Sequence, residues 1–142
     1  MSKLFPIAHH HEYVSKRVET ECHQLIEKIA HIDANYETPI GEIKVQIKEI
    51  ISSLGYVTDS PINTDYLLTI DGKKLNIGIQ AQLGNAARFY ADLMKLEYLY
   101  RLQEIKEAIY ICFTKNFVSK HFSGNIIHLD RAVSELELFN KI

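Results

Sequence analysis

Between Leu75 and Gln82 the chain alternates Leu75, Ile77 and Ile79 with Asn76, Gly78 and Gln80, the period-two pattern of a strand with one buried face. A helix follows, with Asn85 as its plausible cap and Phe89, Leu93, Leu96 and Leu99 or Tyr100 turned inward. The run Ala108 to Phe113 then reads as a central strand covered on both faces. A strand, a helix and a second strand in that order require a crossover connection, so part of the sheet is parallel. The fold class is therefore α/β, with a mixed β-sheet flanked by helices.

Upstream, Val14, Val18, Cys22, Leu25, Ile29 and Ile32 recur at three- and four-residue steps, which predicts a helix within His9–Ile32. Thr38-Pro39-Ile40-Gly41-Glu42 opens a second helix with the stripe Ile43, Ile47, Ile50, Ile51 and Leu54, and Gly55 supplies its left-handed stop. Both helices read as scaffold. Tyr56–Thr58 is strand-like, Asp59–Asn63 is a turn cluster, and Tyr66–Ile70 reads as a buried strand that delivers Asp71 at its end. Asp71-Gly72 is then the expected turn. On the third helix Arg88, Asp92, Lys95 and Arg101 are expected on the outer face, whereas Tyr98 and Tyr100 read as buried packing. The segment Thr114–Leu129 contains no Asp or Glu and reads as a loop suited to phosphate and base edges. Asp130–Phe139 closes the chain as a helix.

Length and composition narrow the class. A chain of 142 residues, 46% hydrophobic and 24% charged, has the size and make-up of one globular domain spanning 1–142. Its formal net charge of −2 gives no global signal for nucleic acid, though a local basic face is compatible with it. Cys22 and Cys112 lie far apart in segments that read as buried, which fits free thiols in a cytoplasmic protein. Neither a membrane-spanning run nor a secretory signal is expected. Consecutive histidines His9-His10-His11 point in different helical directions and chelate poorly.

On spacing alone, Asp71 with Gln80 and Gln82 on one face of a hairpin reads first as a solvated strand face, with a divalent-metal site beside a phosphate as the alternative. A phosphate-cradling glycine motif, a paired-cysteine zinc pattern and a nucleophile elbow are all missing.

The run Asp71, then Gln80-Ala81-Gln82-Leu83-Gly84-Asn85 nine positions on, resembles the active-site hairpin of the BglII and BstYI group of type II restriction endonucleases. That group belongs to the PD-(D/E)xK nuclease superfamily. Its pattern is Asp, an interval, then Glu-x-Gln, with Gln where most of the superfamily has Lys. The similarity extends to the His-rich start leading into Glu12-Tyr13, to His31-Ile32-Asp33-Ala34, and to Ser123-Gly124-Asn125 after the last strand. Roughly nine-tenths of the chain can be laid alongside the group, and this chain is shorter around residues 58–71.

The resemblance implies a restriction-endonuclease-like core and magnesium-dependent hydrolysis of double-stranded DNA by a homodimer, at a short palindrome centred on GATC. Asp71, residue 80 and the Ala81 carbonyl would hold Mg2+, and Gln82 would position the attacking water. Asn85 matches a base-reading position, Ser123 and its neighbours Gly124 and Asn125 lie in a segment like one that enters the major groove, and Lys73, Lys74, Arg88 and Lys120 would meet the DNA backbone.

Position 80 departs from the pattern: the group has Glu and this chain has Gln80. A unit charge removed about 4 Å from a cation is worth on the order of 4 kcal/mol at an effective dielectric near 20, roughly a thousandfold in affinity. Three explanations stay open. The change was engineered to hold uncut DNA, the chain is a poorly active or silent natural relative, or another carboxylate such as Glu42 or Asp65 substitutes. Two other functions compete: a sequence-specific DNA-binding module without nuclease activity, and a protein-interaction domain.

Overall fold

The structure, a computed structural model, describes residues 4, 6, 8, 14–35, 37–62, 68–121 and 125–139. Its elements run α1 (Lys16–Ile29), α2 (Ile40–Ser53), β1 (Val57–Pro61), β2 (Thr69–Lys74), β3 (Ile77–Ala81), α3 (Ala87–Arg101), β4 (Glu107–Ile111), α4 (Lys115–His121) and α5 (Leu129–Phe139). The four strands form one sheet in the order β1-β2-β3-β4. β1 and β2 pair antiparallel, as do β2 and β3. β3 and β4 pair parallel, with Ile79 opposite Ile109 and Ala81 opposite Ile111, so α3 is the expected crossover helix.

Hydrophobic burial sets this arrangement. Val18, Leu25 and Ile29 of α1 and Ile43, Ile47 and Ile51 of α2 pack with Tyr56, Ile77, Ile79 and Ile109 in one core. A second cluster joins Ile70 to Leu96, Leu99 and Ile105, and a third joins Phe89 to Ile127 and Ala132. Ser15 caps α1 by accepting from the Val18 N–H. Gly55 ends α2 at φ +92°, the left-handed stop expected there. The closing helix is present as α5.

Several local expectations are overturned. β2 runs straight through Asp71-Gly72, and the turn falls at Leu75-Asn76, where Leu75 takes φ +52° and lies exposed. Gly72 serves close approach: a Cβ there would lie 2.7 Å from Ile51 Cγ2 and 3.2 Å from Tyr56 Cβ. All five residues of β3 are buried, so the alternation marks a strand covered on both faces. β4 is an edge strand with Ala108 exposed, because nothing pairs beyond it among the described residues.

β1 extends through the expected turn cluster to Pro61, as an edge strand can, since proline there leaves no ladder bond unmade. Lys115–His121 folds as α4 within the expected loop. Tyr98 and Tyr100 are exposed, because the buried phase of α3 runs through Phe89, Asp92, Leu96 and Leu99. The three histidines, Asp65, Ser123 and Gly124 lie outside the described residues.

Both cysteines are free. Burial pushes the Cys112 thiol up to about 11, which makes it a poor nucleophile near neutral pH.

Gly72→Ala should cost about 1–3 kcal/mol in urea denaturation, by forcing β2 away from α2. An unchanged midpoint would mean that the strand yields freely.

Candidate active site

The site is built where the Asp71 strand passes its antiparallel neighbour. Gly72 pairs with Ile79, which brings Asp71 beside Gln80 and Ala81 across the hairpin. Asp71 Oδ2 accepts from the Ala81 N–H at 2.7 Å, and the Asp71 N–H donates to Gln80 Oε1 at 3.1 Å. The sequence-predicted trio Asp71, Gln80 and Ala81 is therefore locked together by two hydrogen bonds across the strands.

A cation from elsewhere completes the group. Lys44 of α2 donates from Nζ to Asp71 Oδ2 at 2.8 Å, and also to the Ala81 carbonyl. The Asp71 carboxylate and the Ala81 carbonyl, the two oxygens expected to face one metal ion, thus face one ammonium group. Lys44 shares a helical phase with Ile40, Ile47 and Ile51, which carries its stem toward the sheet. That phase was the available signal for a residue that the sequence reading passed over.

Asp92 is the second missed residue. It is 3% exposed on α3, not on the outer face, and anchors both glutamines. Gln80 Nε2 donates to Asp92 Oδ1 at 3.0 Å and Gln82 Nε2 to Asp92 Oδ2 at 2.9 Å, while the Tyr110 hydroxyl reaches Oδ2 at 3.3 Å. Lys95 Nζ lies 3.5 Å from Asp92 Oδ1 and donates to the Thr69 carbonyl at 2.9 Å. Burial of the Tyr110 ring, then the negative charge of Asp92, raises the phenol far above its usual range, so it remains a donor. Because the carboxylate only accepts, each glutamine must aim its amide nitrogen at Asp92. Gln82 Oε1 is left to take the Gly84 N–H at 3.1 Å. Both glutamines accordingly project to one side of the hairpin, as expected, but the acid they share there is Asp92.

An open pocket over this network is lined by Lys44, Gln80, Ala81, Gln82, Arg88, Asp92 and Lys95. At its rim the segment after β3 pairs with the distant Asn125 segment. Asn85 forms an antiparallel bridge with Ile126, the Ala86 N–H donates to the Asn125 carbonyl at 2.7 Å, and the Ile127 N–H donates to the Gly84 carbonyl at 3.1 Å. The base-reading candidates Asn85 and Asn125 are thus adjacent, and both are exposed. Asn85 Oδ1 accepts from the Ala87 N–H at 2.8 Å, which starts α3. Arg88 and Lys120 are exposed. Lys73 and Lys74 are engaged elsewhere, Lys73 with Glu104 at 2.7 Å and Lys74 with Glu21 at 2.8 Å. Glu42 is exposed in the first turn of α2.

The donor set does not fit a divalent cation as arranged. It offers one carboxylate, already neutralised by Lys44, and Gln80 brings no charge and has both amide ends occupied. Among the described residues no group of three or more His, Cys, Asp or Glu could hold a metal ion.

Comparison with known proteins identifies the family. No individual curated protein matches the chain. The model of a family described as restriction endonuclease BglII/BglIII matches residues 5–142. The chain belongs to that family of restriction endonucleases.

Proposed function

We propose that this chain binds double-stranded DNA as a homodimer at a short palindromic site centred on GATC, and that its phosphodiester-cleaving centre is muted by the missing charge at Gln80. The observation that carries the reading is the convergence of the Asp71 carboxylate and the Ala81 carbonyl on one cation, beside Gln80 and at the floor of a pocket rimmed by Arg88. A phosphate entering there meets positive charge, and the amide of Gln82, tied to Asp92 and to the Gly84 N–H, has no basicity to take a proton from water.

Base reading is assigned to Asn85 and Asn125, whose segments the Asn85–Ile126 bridge brings together next to Gly84 of the pocket lining, and, by the resemblance alone, to Ser123 and Gly124. Arg88 and Lys120, exposed and without an ion-pair partner among the described residues, are assigned to backbone phosphates. The two-fold symmetry of a palindrome calls for two copies. In support, Met94 and Tyr98 of α3 and its C-cap Leu102 form an exposed apolar line at four-residue steps. Restriction endonucleases of this kind generally use divalent metal ions, and magnesium is the ion assigned to a form carrying a carboxylate at position 80. Among the described residues no helix is long and apolar enough to cross a membrane, and we place the protein with its DNA in the cytoplasm.

Gel shifts test the reading. A GATC-centred duplex should be bound at least about a thousandfold more tightly than a scrambled duplex at the same salt, the lower end of specific recognition. Equal affinity for the two would remove the specificity claim.

A further inference from the structure

We infer that Lys44 is the resident cation of this site: its ammonium takes the place of a divalent ion, keeps such ions out, and faces the DNA phosphate in their stead. The part concerning DNA rests on the function proposed above; the part concerning metal does not.

Geometry and charge both lead here. Lys44 comes from a helix remote in sequence from the hairpin, yet it contacts the two oxygens that converge from the hairpin, Asp71 Oδ2 at 2.8 Å and the Ala81 carbonyl. An ammonium has three N–H donors. Two go to those oxygens, and the Lys44 side chain is still 34% exposed, against 15% for Asp71. The group is therefore seated on its protein ligands from the solvent side, where an incoming phosphate oxygen would meet it.

The other lysines near the hairpin do not compete for the role. Lys73 is paired with Glu104, Lys74 with Glu21 and the Leu54 carbonyl, and Lys95 with Asp92 and the Thr69 carbonyl.

Charge arithmetic ties Lys44 to Gln80. With Asp92 balanced by Lys95 at 3.5 Å, Asp71 at −1 and Gln80 neutral, one monovalent cation balances the seat, whereas a divalent ion would leave it at +1. A carboxylate at position 80 would bring the seat to −2 and favour a divalent ion over an ammonium. The uncharged residue 80 and the inserted lysine thus belong to one electrostatic arrangement. In it DNA binding requires no metal.

The test compares the unaltered protein with Lys44→Met and Lys44→Arg. Mn2+ binding is followed in the absence of DNA by the paramagnetic resonance of the free ion. Lys44→Met should bind Mn2+ at least about tenfold more tightly than the unaltered chain, consistent with removal of a like charge a few ångströms away. Adding Asp71→Asn should abolish that gain, and Lys44→Arg should behave like the unaltered protein. If Lys44→Met does not fold, Lys44→Gln carries the same comparison.

In EDTA, the unaltered protein should still bind a GATC duplex. Lys44→Met should bind it about tenfold less tightly, and its slope of log affinity against log salt should be shallower by about 0.9, the signature of one lost phosphate contact. Equal Mn2+ affinity in the unaltered and Lys44→Met proteins would overturn the assignment whatever the DNA result. So would DNA binding that needs a divalent ion. A clear Mn2+ difference with no DNA binding by any form would uphold the metal exclusion while removing both the phosphate role and the functional reading beneath it.

Discussion

Asp92→Ala should lower the stability of the fold by about 3–5 kcal/mol, the range for removing one partner of a buried charged network. Asp92 accepts from Gln80 at 3.0 Å, from Gln82 at 2.9 Å and from Tyr110 at 3.3 Å, with Lys95 at 3.5 Å. Alanine leaves the Gln80 amide enclosed with no acceptor, and Lys95 with a single carbonyl. Asp92→Asn preserves shape but must turn an N–H toward a donor, so a smaller loss of about 1–2 kcal/mol is expected. Urea denaturation gives both values. Alkaline titration of Asp92→Asn should also bring the Tyr110 phenol down, though not to its ordinary range, because burial of the ring is the larger cause and persists. A loss below about 1 kcal/mol for Asp92→Ala would show that the glutamines are held without it.

Gln80→Glu should make the protein's stability depend on divalent metal. The glutamine nitrogen that now donates to Asp92 Oδ1 at 3.0 Å would be replaced by a carboxylate oxygen facing another carboxylate. Like charges at about 4 Å repel by about 4 kcal/mol at an effective dielectric near 20, part of which Lys44 and Lys95 offset. We expect the variant to lose roughly 2–3 kcal/mol in EDTA at pH 8 and to recover most of it in magnesium, read from melting curves with and without the ion.

The pH dependence follows from the same repulsion, which raises the folded pKa of the introduced acid above its unfolded value of about 4.3. Its favourable contribution is then complete below the unfolded pKa and is lost as pH rises through the raised folded value. Without metal the variant should therefore be more stable near pH 5 than near pH 8. A melting temperature indifferent to magnesium would show that the introduced acid and Asp71 do not share a site.

How much was legible in the sequence differs between fold and site. Burial period and chain order sufficed for α1, α2, the β3-α3-β4 crossover and α5, since hydrophobic periodicity is a local signal. The Asp71-Gly72 pair misled, because glycine serves turns and close packing alike and only the proximity of Ile51 decides between them. Asp71, Gln80 and Gln82 stood out as polar groups of a hairpin and Ala81 only through the family resemblance, and it is the turn at Leu75-Asn76, not the expected one at Asp71-Gly72, that sets Asp71 beside Gln80 and Ala81.

Lys44 and Asp92 were not found, since each acts across the fold from a separate helix. Each had left a local trace: a charge in phase with a buried stripe, Lys44 with Ile40, Ile47 and Ile51, and Asp92 with Phe89, Leu96 and Leu99. Glu21 shows the same trace between Val18 and Leu25, yet its partners are Tyr56 at 2.9 Å and Lys74 at 2.8 Å. A buried-phase charge therefore points to a polar network, and only its partners separate scaffold from site.

Plasmid cleavage tests the central claim, that the β2-β3 hairpin is a phosphodiester site silenced by one missing charge. The unaltered protein and Gln80→Glu are each incubated with plasmid and magnesium. Gln80→Glu should give discrete fragments with ends at GATC-containing sites, and the unaltered chain should leave the plasmid intact. Intact plasmid from a folded, magnesium-stabilised Gln80→Glu under every divalent metal would contradict it.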